Sequence, residues 1–264
     1  MHSEPLILTF AALFGAIVGS FLNVVIFRLP QPEESIVFPA SHCPKCQAGL
    51  RWYENIPLLS YIFLGGRCSH CRGRISLQYP LVEAALALLS TAIVYRFGLT
   101  VTAGGFFCFS AALLVVIFID LRHQIIPDMI SLPGIVIGFV LSFFSPLISW
   151  LDSLLGIVCG GGVLYGIALI YFFLRRQEGM GGGDIKLLAM IGAFLGWQAL
   201  PFVIFASSMS GAFVGILVMV IERKEGLATR IPFGPFLSLA ALLYMLFFQE
   251  INALYLSYLD GSLF

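Results

Sequence analysis

Long hydrophobic stretches alternate with short polar segments along almost the whole of this chain. Eight stretches approach the about 20 residues that an α-helix needs to cross a lipid bilayer. They cover residues 6–27, 80–97, 101–120, 129–148, 152–174, 184–198, 200–221 and 232–250. The sixth is short, and Gly196-Trp197 and Pro201 separate it from the seventh. The pattern predicts an all-α polytopic membrane protein with about eight transmembrane helices.

The composition fits this interpretation. Of the 264 residues, 59% are hydrophobic and 11% are charged, whereas a soluble domain carries about 25% charged residues. The formal net charge is zero, so no overall basic character indicates a nucleic acid as partner. The composition therefore predicts a lipid bilayer around the chain and no nucleic-acid partner.

Lysine and arginine residues gather on one side of the predicted membrane. With eight spans, all of the 14 Lys and Arg residues except Arg96 fall in or beside the connections 29–79, 121–128, 175–184 and 222–231. Cytoplasmic connections of membrane proteins carry an excess of Lys and Arg. We therefore expect these connections in the cytoplasm and both chain termini outside.

Three regions follow from the spans and connections. They are a first transmembrane helix at 1–28, a cytoplasmic loop at 29–79, and a seven-helix membrane domain at 80–264. In the first helix, Gly15 and Gly19 lie four positions apart, a spacing that lets another helix pack closely. Asn23, near the cytoplasmic end, has two interpretations: a polar packing contact or part of a site.

The loop 29–79 contains two C-x2-C pairs, Cys43 with Cys46 and Cys68 with Cys71. Two such pairs can supply four thiolates to a tetrahedral structural zinc. The loop is too short for much hydrophobic core, so a metal would supply folding free energy. Two disulfides are the alternative, but a cytoplasmic loop is kept reducing. The pattern predicts a small zinc-binding loop domain in which the four cysteines suffice as ligands. The neighbouring His42 and His70 are potential substitutes for a cysteine ligand.

Two carboxylates stand at predicted helix ends on the cytoplasmic side. Asp120 closes the third stretch, where the helix dipole disfavours an anion. Asp184 opens the sixth, directly after the glycine-rich turn 179–183. The glycines allow a peptide backbone to approach closely, although a flexible hinge with Asp184 as its cap is the alternative. Ionisable groups at such positions indicate function, and two on one side predict an aspartyl protease dyad at the membrane surface.

The helix ends also predict how the two carboxylates divide the work. Two close carboxylates cannot easily both ionise, so one holds a proton while the other activates water. Asp184 at a helix N-terminus should be the ionised base, and Asp120 at a helix C-terminus should be the acid that polarises the scissile carbonyl. No Ser-His or Cys-His pair is evident nearby in the sequence, so no covalent intermediate is predicted.

Other polar residues near these segments leave alternatives open. Glu83 lies about one turn inside the second stretch and could either pair with a loop arginine or help to bind a polar substrate. Asp128 follows Pro127 at a predicted helix start, where aspartate is a favoured cap. His123 is expected to be an interfacial side chain.

Taken together, these motifs resemble those of a known family, the type IV prepilin peptidases, and the resemblance covers nearly the whole length of the chain. The residues that carry the resemblance are Gly19-Ser20-Phe21-Leu22-Asn23 through Arg28-Leu29-Pro30, His42-Cys43-Pro44-Lys45-Cys46, Trp52-Tyr53-Glu54-Asn55-Ile56-Pro57 with Ser60-Tyr61, the second cysteine pair, Ile119-Asp120 with Ile126-Pro127-Asp128, and Gly181-Gly182-Gly183-Asp184.

The resemblance implies a bifunctional enzyme of the bacterial inner (cytoplasmic) membrane. Such enzymes remove a short basic leader from type IV prepilins and type II secretion pseudopilins at the cytoplasmic membrane face, cutting after a glycine. They then methylate the new α-amino group with S-adenosylmethionine. The catalytic pair falls on Asp120 and Asp184, and the four-cysteine loop falls where the family carries a zinc-binding domain associated with methylation. The sequence does not indicate which residues bind S-adenosylmethionine.

Two other classes of protein share parts of this pattern. Intramembrane carboxylates and glycine-broken helices also occur in transporters, and a zinc-stabilised loop would suit a transporter or a scaffold. A presenilin-like protease that cuts within the bilayer shares the Gly-x-Gly-Asp motif. Both carboxylates here lie at predicted helix ends, which favours a cut at the membrane surface.

Overall fold

The computed structural model describes residues 5–31, 35–38, 40–176, 181–222 and 232–259. Within these ranges the chain is helical, with two isolated β-bridges and no β-strand. A 3-10 turn lies at Trp52–Asn55. The α-helices of the described ranges are α1 Pro5–Arg28, α2 Leu59–Phe63, α3 Gln78–Phe97, α4 Val101–His123, α5 Asp128–Ser142, α6 Trp150–Arg175, α7 Gly182–Leu195, α8 Ala199–Glu222 and α9 Gly234–Leu259.

Each predicted hydrophobic stretch corresponds to one helix, which confirms the all-α membrane architecture. Six helices in the described part of the chain are long and apolar enough to cross a membrane, namely α1, α3, α4, α6, α8 and α9. The helices α5 and α7 are shorter, at 15 and 14 residues. The predicted break after the sixth stretch is also confirmed, because α7 stops at Gly196, whose φ of 79° only glycine adopts easily.

The chain forms two compact units, Met1–Ile119 and Asp120–Phe264. The first contains the four-cysteine loop, and the second contains both carboxylates of the predicted dyad. The division into 1–28, 29–79 and 80–264 that the sequence suggests stays a prediction.

In the first unit, α1 packs against α3 through the small residues on its face. A Cβ atom added to Gly15 would lie 2.6 Å from the carbonyl oxygen of Leu86, and one added to Gly19 would lie 2.8 Å from Cα of Glu83. The two backbones therefore approach as closely as the Gly15–Gly19 spacing predicted.

In the second unit, α7 packs between α5 and α6. The backbones of Gly156 on α6 and Gly192 on α7 touch directly, and a Cβ on Gly160 would lie 2.6 Å from the Leu188 carbonyl oxygen. On the other side, Gly138 of α5 leaves room for the ring of Phe194. Residues 187–195 are all buried, so the helix that carries Asp184 is fixed on both sides.

Candidate active site

Asp120 lies in the last turn of α4, with a side chain that is 5% exposed. Its Oδ2 accepts a hydrogen bond of 2.9 Å from the backbone amide of Gly234. Gly234 is the first residue of α9, so this amide is one of the N–H groups that a helix start leaves without an intrahelical partner. The N-terminus of α9 thus stabilises a carboxylate that the dipole of its own helix disfavours.

Gly234 cannot carry a side chain at this place. A Cβ there would lie 2.6 Å from Oδ2 of Asp120 and 3.1 Å from Cδ1 of Ile126. Our sequence reasoning missed this residue. The signal that could have found it is the pair of prolines around it, Pro232 and Pro235, at the start of the last hydrophobic stretch, because proline favours the first turn of a helix.

Asp184 lies in the first turn of α7 and is half-buried. Its helix begins at Gly182, with Gly181 at the N-cap position, so the positive end of the helix dipole favours the ionised carboxylate. No side chain caps this helix start. The earlier residues of the glycine-rich turn, Gly179 and Met180, lie outside the described residues.

The structure brings the two predicted carboxylates into one neighbourhood. A Cβ on Gly183 would lie 2.9 Å from Cβ of Ile126, and the same isoleucine contacts the position of Gly234 beside Asp120. Ile126 is therefore a shared wall between the starts of α7 and α9. The end of α4 with Asp120 and the start of α7 with Asp184 therefore lie beside the same isoleucine, an arrangement compatible with an aspartyl dyad.

An ion pair lies next to Asp184. Nζ of Lys186 donates to both carboxylate oxygens of Asp128, each at 2.7 Å. The sequence favoured a capping role for Asp128, but the N-cap position of α5 is Pro127 and no side-chain cap forms there. Asp128 instead ties the first turn of α5 to the first turns of α7, which neither hydropathy nor capping rules reveal.

The other polar candidates are placed as follows. His123 is the exposed last residue of α4, as expected for an interfacial side chain. Asn23 and Glu83 are buried in the first unit. Glu83 forms no ion pair with an arginine among the described residues; its Oε2 accepts a 2.8 Å hydrogen bond from the backbone amide of Leu58.

The four loop cysteines form a second site, in the first unit. Their Sγ atoms all lie within 4.8 Å of one another, with 3.9 Å between Cys43 and Cys71 and 4.0 Å between Cys46 and Cys68. All four are free thiols, so the alternative of two disulfides is not what the structure shows. The group contains neither His42 nor His70.

Both cysteine pairs have the same backbone geometry. The amide of Gln47 bonds to the carbonyl of Cys43, and the amide of Arg72 bonds to that of Cys68; both donors have a positive φ, 60° and 57°. Four thiolates around a tetrahedral zinc, with Zn–S distances near 2.3 Å, stand about 3.8 Å apart. The cluster therefore fits a metal ion of this size and geometry.

A buried carboxylate helps to hold the loop together. Glu54 is 8% exposed, and its Oε2 accepts a 2.8 Å hydrogen bond from the Arg51 amide. The Ser69 hydroxyl, which lies between the second pair of cysteines, and the Arg51 amide together hold the pKa of Glu54 below its usual value. The segment after the first cysteine pair is thus joined to the second pair.

Comparison with known proteins identifies two matching family models and several relatives. The family model described as the Bacterial Peptidase A24 N-terminal domain matches residues 13–97, and the one described as the Type IV leader peptidase family matches residues 107–216. Several relatives are named prepilin leader peptidase/N-methyltransferase. The one from Pseudomonas aeruginosa is 39% identical over 98% of this chain and 97% of its own length.

Two further relatives of the same name are similar to the chain. The Aeromonas hydrophila protein is 37% identical over 97% of this chain and 96% of its own length. The Myxococcus xanthus protein is 41% identical over 84% of this chain and 66% of its own length. No solved structure matches the chain.

Fold and site together define a multi-pass helical membrane protein with two neighbouring carboxylates at helix ends. The matches identify the family within this class, because the relatives are 37–39% identical over almost the full length of the chain. The chain belongs to the type IV leader peptidase family.

Proposed function

We propose that this chain removes the leader peptide from type IV prepilins and type II secretion pseudopilins and then methylates the new N-terminal residue with S-adenosylmethionine. The observation that carries the proposal is the position of Ile126, which contacts both Gly183, the neighbour of Asp184, and Gly234, whose amide donates to Asp120. It places two carboxylates together in a chain whose relatives are named for leader cleavage and N-methylation.

Asp120 and Asp184 are the catalytic residues of this proposal. The dyad shares one proton, because two adjacent carboxylates do not readily ionise together. The ionised member takes a proton from water as the water attacks the scissile carbonyl, and the protonated member polarises the carbonyl oxygen. The peptide bond is cleaved without a covalent enzyme intermediate.

The surroundings are compatible with the division of roles that the helix ends suggest. Asp184 at the start of α7 is the base, since the dipole favours its anion. Asp120 has one oxygen, Oδ2, occupied by the Gly234 amide. Its other oxygen is left to carry the shared proton, so the Gly234 hydrogen bond orients the acid. The dyad titrates as one unit, and these roles describe its dominant proton distribution.

The cysteine cluster is proposed to hold a structural zinc through Cys43, Cys46, Cys68 and Cys71. The thiolate distances support this ion. Zinc would supply folding free energy to a loop with little hydrophobic core and takes no part in peptide hydrolysis. S-adenosylmethionine would supply an activated methyl group as a sulfonium cation.

The proposed location is the bacterial inner membrane, with the dyad and the cysteine loop facing the cytoplasm. The distribution of Lys and Arg supports this orientation. Both carboxylates lie in the terminal turns of their helices, which favours cleavage at the membrane surface over cleavage in the middle of the bilayer.

A reconstituted assay tests both halves of the proposal. The purified chain in lipid nanodiscs is incubated with a prepilin and S-adenosylmethionine, and mass spectrometry follows the loss of the leader and the gain of one methyl group separately. We expect cleavage first and methylation of the cleaved product second. Absence of cleavage would refute the peptidase assignment, and cleavage without methylation would refute the transferase assignment alone.

A further inference from the structure

A cleft lies in the first unit, beside α1 and under the loop segment 55–59. It has a volume of about 710 Å³. It is lined by apolar side chains of α1, among them Leu13, Ile17 and Phe21, and by the loop segment. Both dyad residues are in the other unit, and neither lines this cleft.

Glu83 lies directly behind the wall of this cleft. Its side chain is 7% exposed, and it is hydrogen-bonded by the Leu58 amide at 2.8 Å and by the Ser20 hydroxyl. Leu58 and Ser20 both line the cleft, so a single layer of protein separates the carboxylate from it. No basic side chain among the described residues pairs with Glu83, and a buried carboxylate without a cation is costly.

The backbone that covers Glu83 is strained. Leu58 has φ 61° and ψ −49°, a conformation that residues with a branched side chain rarely adopt. It directs the Leu58 amide at the carboxylate. Strain of this kind persists where the surrounding structure enforces it, and it is concentrated at binding and catalytic sites.

Asn23 adds a buried acceptor nearby that has no hydrogen-bond partner among the described residues. Its Nδ2 donates to the carbonyl oxygens of Gly19 at 3.3 Å and Tyr79 at 3.1 Å. Because both partners are acceptors, the orientation of the amide is determined. The Oδ1 atom is buried without a partner among the described residues, in a side chain that is 2% exposed. Tyr79 lies one helical turn before Glu83 on α3, so two buried acceptors without a cation are found in the same stretch of the α1–α3 contact.

We propose that Glu83 binds the α-ammonium group of the substrate's new N-terminal residue, and that the cleft holds the apolar side chains that follow it. An ammonium group has three hydrogen-bond donors and a positive charge. It would give the Glu83 carboxylate the cation it lacks and the Asn23 amide oxygen the donor it lacks. On binding, the ammonium group takes the place of the strained Leu58 amide at the carboxylate. The proposal rests on the proposed function, since it concerns the amino group that leader cleavage creates.

The lining of the cleft favours a peptide end over the methyl donor. A nucleoside with a ribose and an amino-acid group needs several converging polar groups. The polar side chains that line the cleft are Ser20, Ser41 and Asn55, and the remainder are apolar. An amino terminus followed by apolar residues needs one anionic group beside an apolar groove, and Glu83 lies behind Ser20 and Leu58 of the lining. The sulfonium of S-adenosylmethionine is the alternative cation, and the experiment separates the two.

The test measures binding as well as activity. Two peptides with the mature pilin N-terminal sequence, one with a free α-amino group and one N-acetylated, are titrated into the nanodisc-embedded chain and followed by fluorescence anisotropy. The variants are Glu83→Gln, which keeps an acceptor for the Leu58 amide and removes the charge, and Ser90→Ala, a matched control at a buried position of α3 outside the cleft. Binding of S-adenosylmethionine and of its uncharged product S-adenosylhomocysteine is measured in parallel.

We expect the unmodified chain to bind the free peptide at least about tenfold more tightly than the acetylated one, because a hydrogen-bonded charge pair is lost on acetylation. Glu83→Gln should abolish that difference and lower methylation while leader cleavage continues, and Ser90→Ala should preserve it. Equal binding of the two peptides by the unmodified chain would overturn the proposal even if Glu83→Gln failed to fold. Selective loss of S-adenosylmethionine binding in Glu83→Gln would also overturn it in favour of the sulfonium. A chain that neither cleaves nor methylates would instead refute the proposed function.

Discussion

At the scale of single residues, the environment of Asp120 is set by a helix other than its own. A carboxylate in the last turn of α4 is opposed by the dipole of that helix. The start of α9 compensates, because the Gly234 amide donates to Oδ2 at 2.9 Å. The carboxylate is therefore held in one orientation before any substrate arrives, which is what a preorganised acid requires.

The first prediction concerns the dyad. Asp120→Asn and Asp184→Asn should each lower leader cleavage by roughly 100-fold or more, the range that a lost general acid or base covers, while the protein still inserts into the membrane. Asp152→Asn is the control. Asp152 is also an aspartate in the first turn of a helix, α6, but its carboxylate accepts hydrogen bonds from the side chains of Trp197 and Gln198.

Rates from single-turnover cleavage of a prepilin decide the outcome. A dyad variant that cleaves at the normal rate would remove its residue from the catalytic pair. Asp128→Asn should keep most activity, because the carboxylate pairs with an exposed lysine. Loss with Asp128→Asn but not with Asp120→Asn would move the catalytic residue eight positions along the chain.

The second prediction is the dependence of cleavage on pH. At low pH both carboxylates hold a proton and no base is available; at high pH both are ionised and no acid is available. Cleavage under kcat/KM conditions should therefore follow a bell-shaped curve whose two limbs belong to the pair. A rate that levelled off at high pH, in a chain that stays folded there, would show that no protonated carboxyl is required.

At the scale of helices, the proposed dyad depends on the positions of three helix ends: the end of α4, the start of α7 and the start of α9. The third prediction uses Gly234→Ala. The added Cβ would lie 2.6 Å from Oδ2 of Asp120, so α9 must shift and weaken the hydrogen bond that orients Asp120, the proposed acid. We expect a fall in kcat and a loss of about 1–3 kcal/mol in stability, as overpacking usually costs.

Gly162→Ala is the matched control for that variant. Gly162 lies on α6, and a Cβ there would meet no atom within 4 Å. An alanine in a helix interior even has a higher helix propensity than glycine, so activity and thermal stability should be retained. Equal activity of the two variants would show that the contact between α9 and Asp120 has no role in cleavage.

Some contacts between helices could be predicted from the sequence, and others could not. The Gly15–Gly19 spacing and the two C-x2-C pairs are local patterns, and the structure contains both the close α1–α3 contact and the thiol cluster. The Gly234–Asp120 hydrogen bond joins residues 114 positions apart. The Asp128–Lys186 pair spans 58 positions. Such pairings follow from which helices become neighbours, and hydropathy does not encode that choice.

At the scale of the whole molecule, the positions of the spans were predictable because each apolar stretch had to form its own backbone hydrogen bonds within the membrane.

The side of the membrane on which each end lies is the fourth prediction. Alkaline phosphatase fused after residue 99 or residue 147 should be active outside the cell, and the same enzyme fused after residue 124 should be inactive. An active fusion after residue 124 would place the dyad on the outer surface and contradict the orientation proposed from Lys and Arg.

The fifth prediction concerns the cysteine loop and its relation to methylation. Cys43→Ser or Cys68→Ser should release about one zinc per chain, as expected of a four-thiolate site. Because residues 55–59 of the same loop line the cleft beside Glu83, methylation should fall more than cleavage. Elemental analysis of the purified variants, paired with both activity assays, measures this.

Cys108→Ser and Cys159→Ser serve as controls, because these thiols lie in α4 and α6 outside the cluster. Both should keep the metal and both activities. Protein that contains no zinc but two disulfides would contradict both the metal and the cytoplasmic position of the loop. Equal and complete loss of both activities in folded cysteine variants would leave the metal in place but remove its special link to methylation.

The glycine contacts around α7 have a consequence for how the protein is made. With 14 residues, α7 is shorter than the about 20 that enter a bilayer readily on their own, and α5 with 15 residues is little longer. Both depend on α6, the longer helix made between them, to be retained at membrane depth. A larger residue at Gly156 or Gly192 would therefore interfere during biosynthesis, before any substrate is met. Such a variant would give a low yield of inserted chain, because quality control degrades the chains that fail to insert. The molecules that do insert would cleave at a normal rate per molecule.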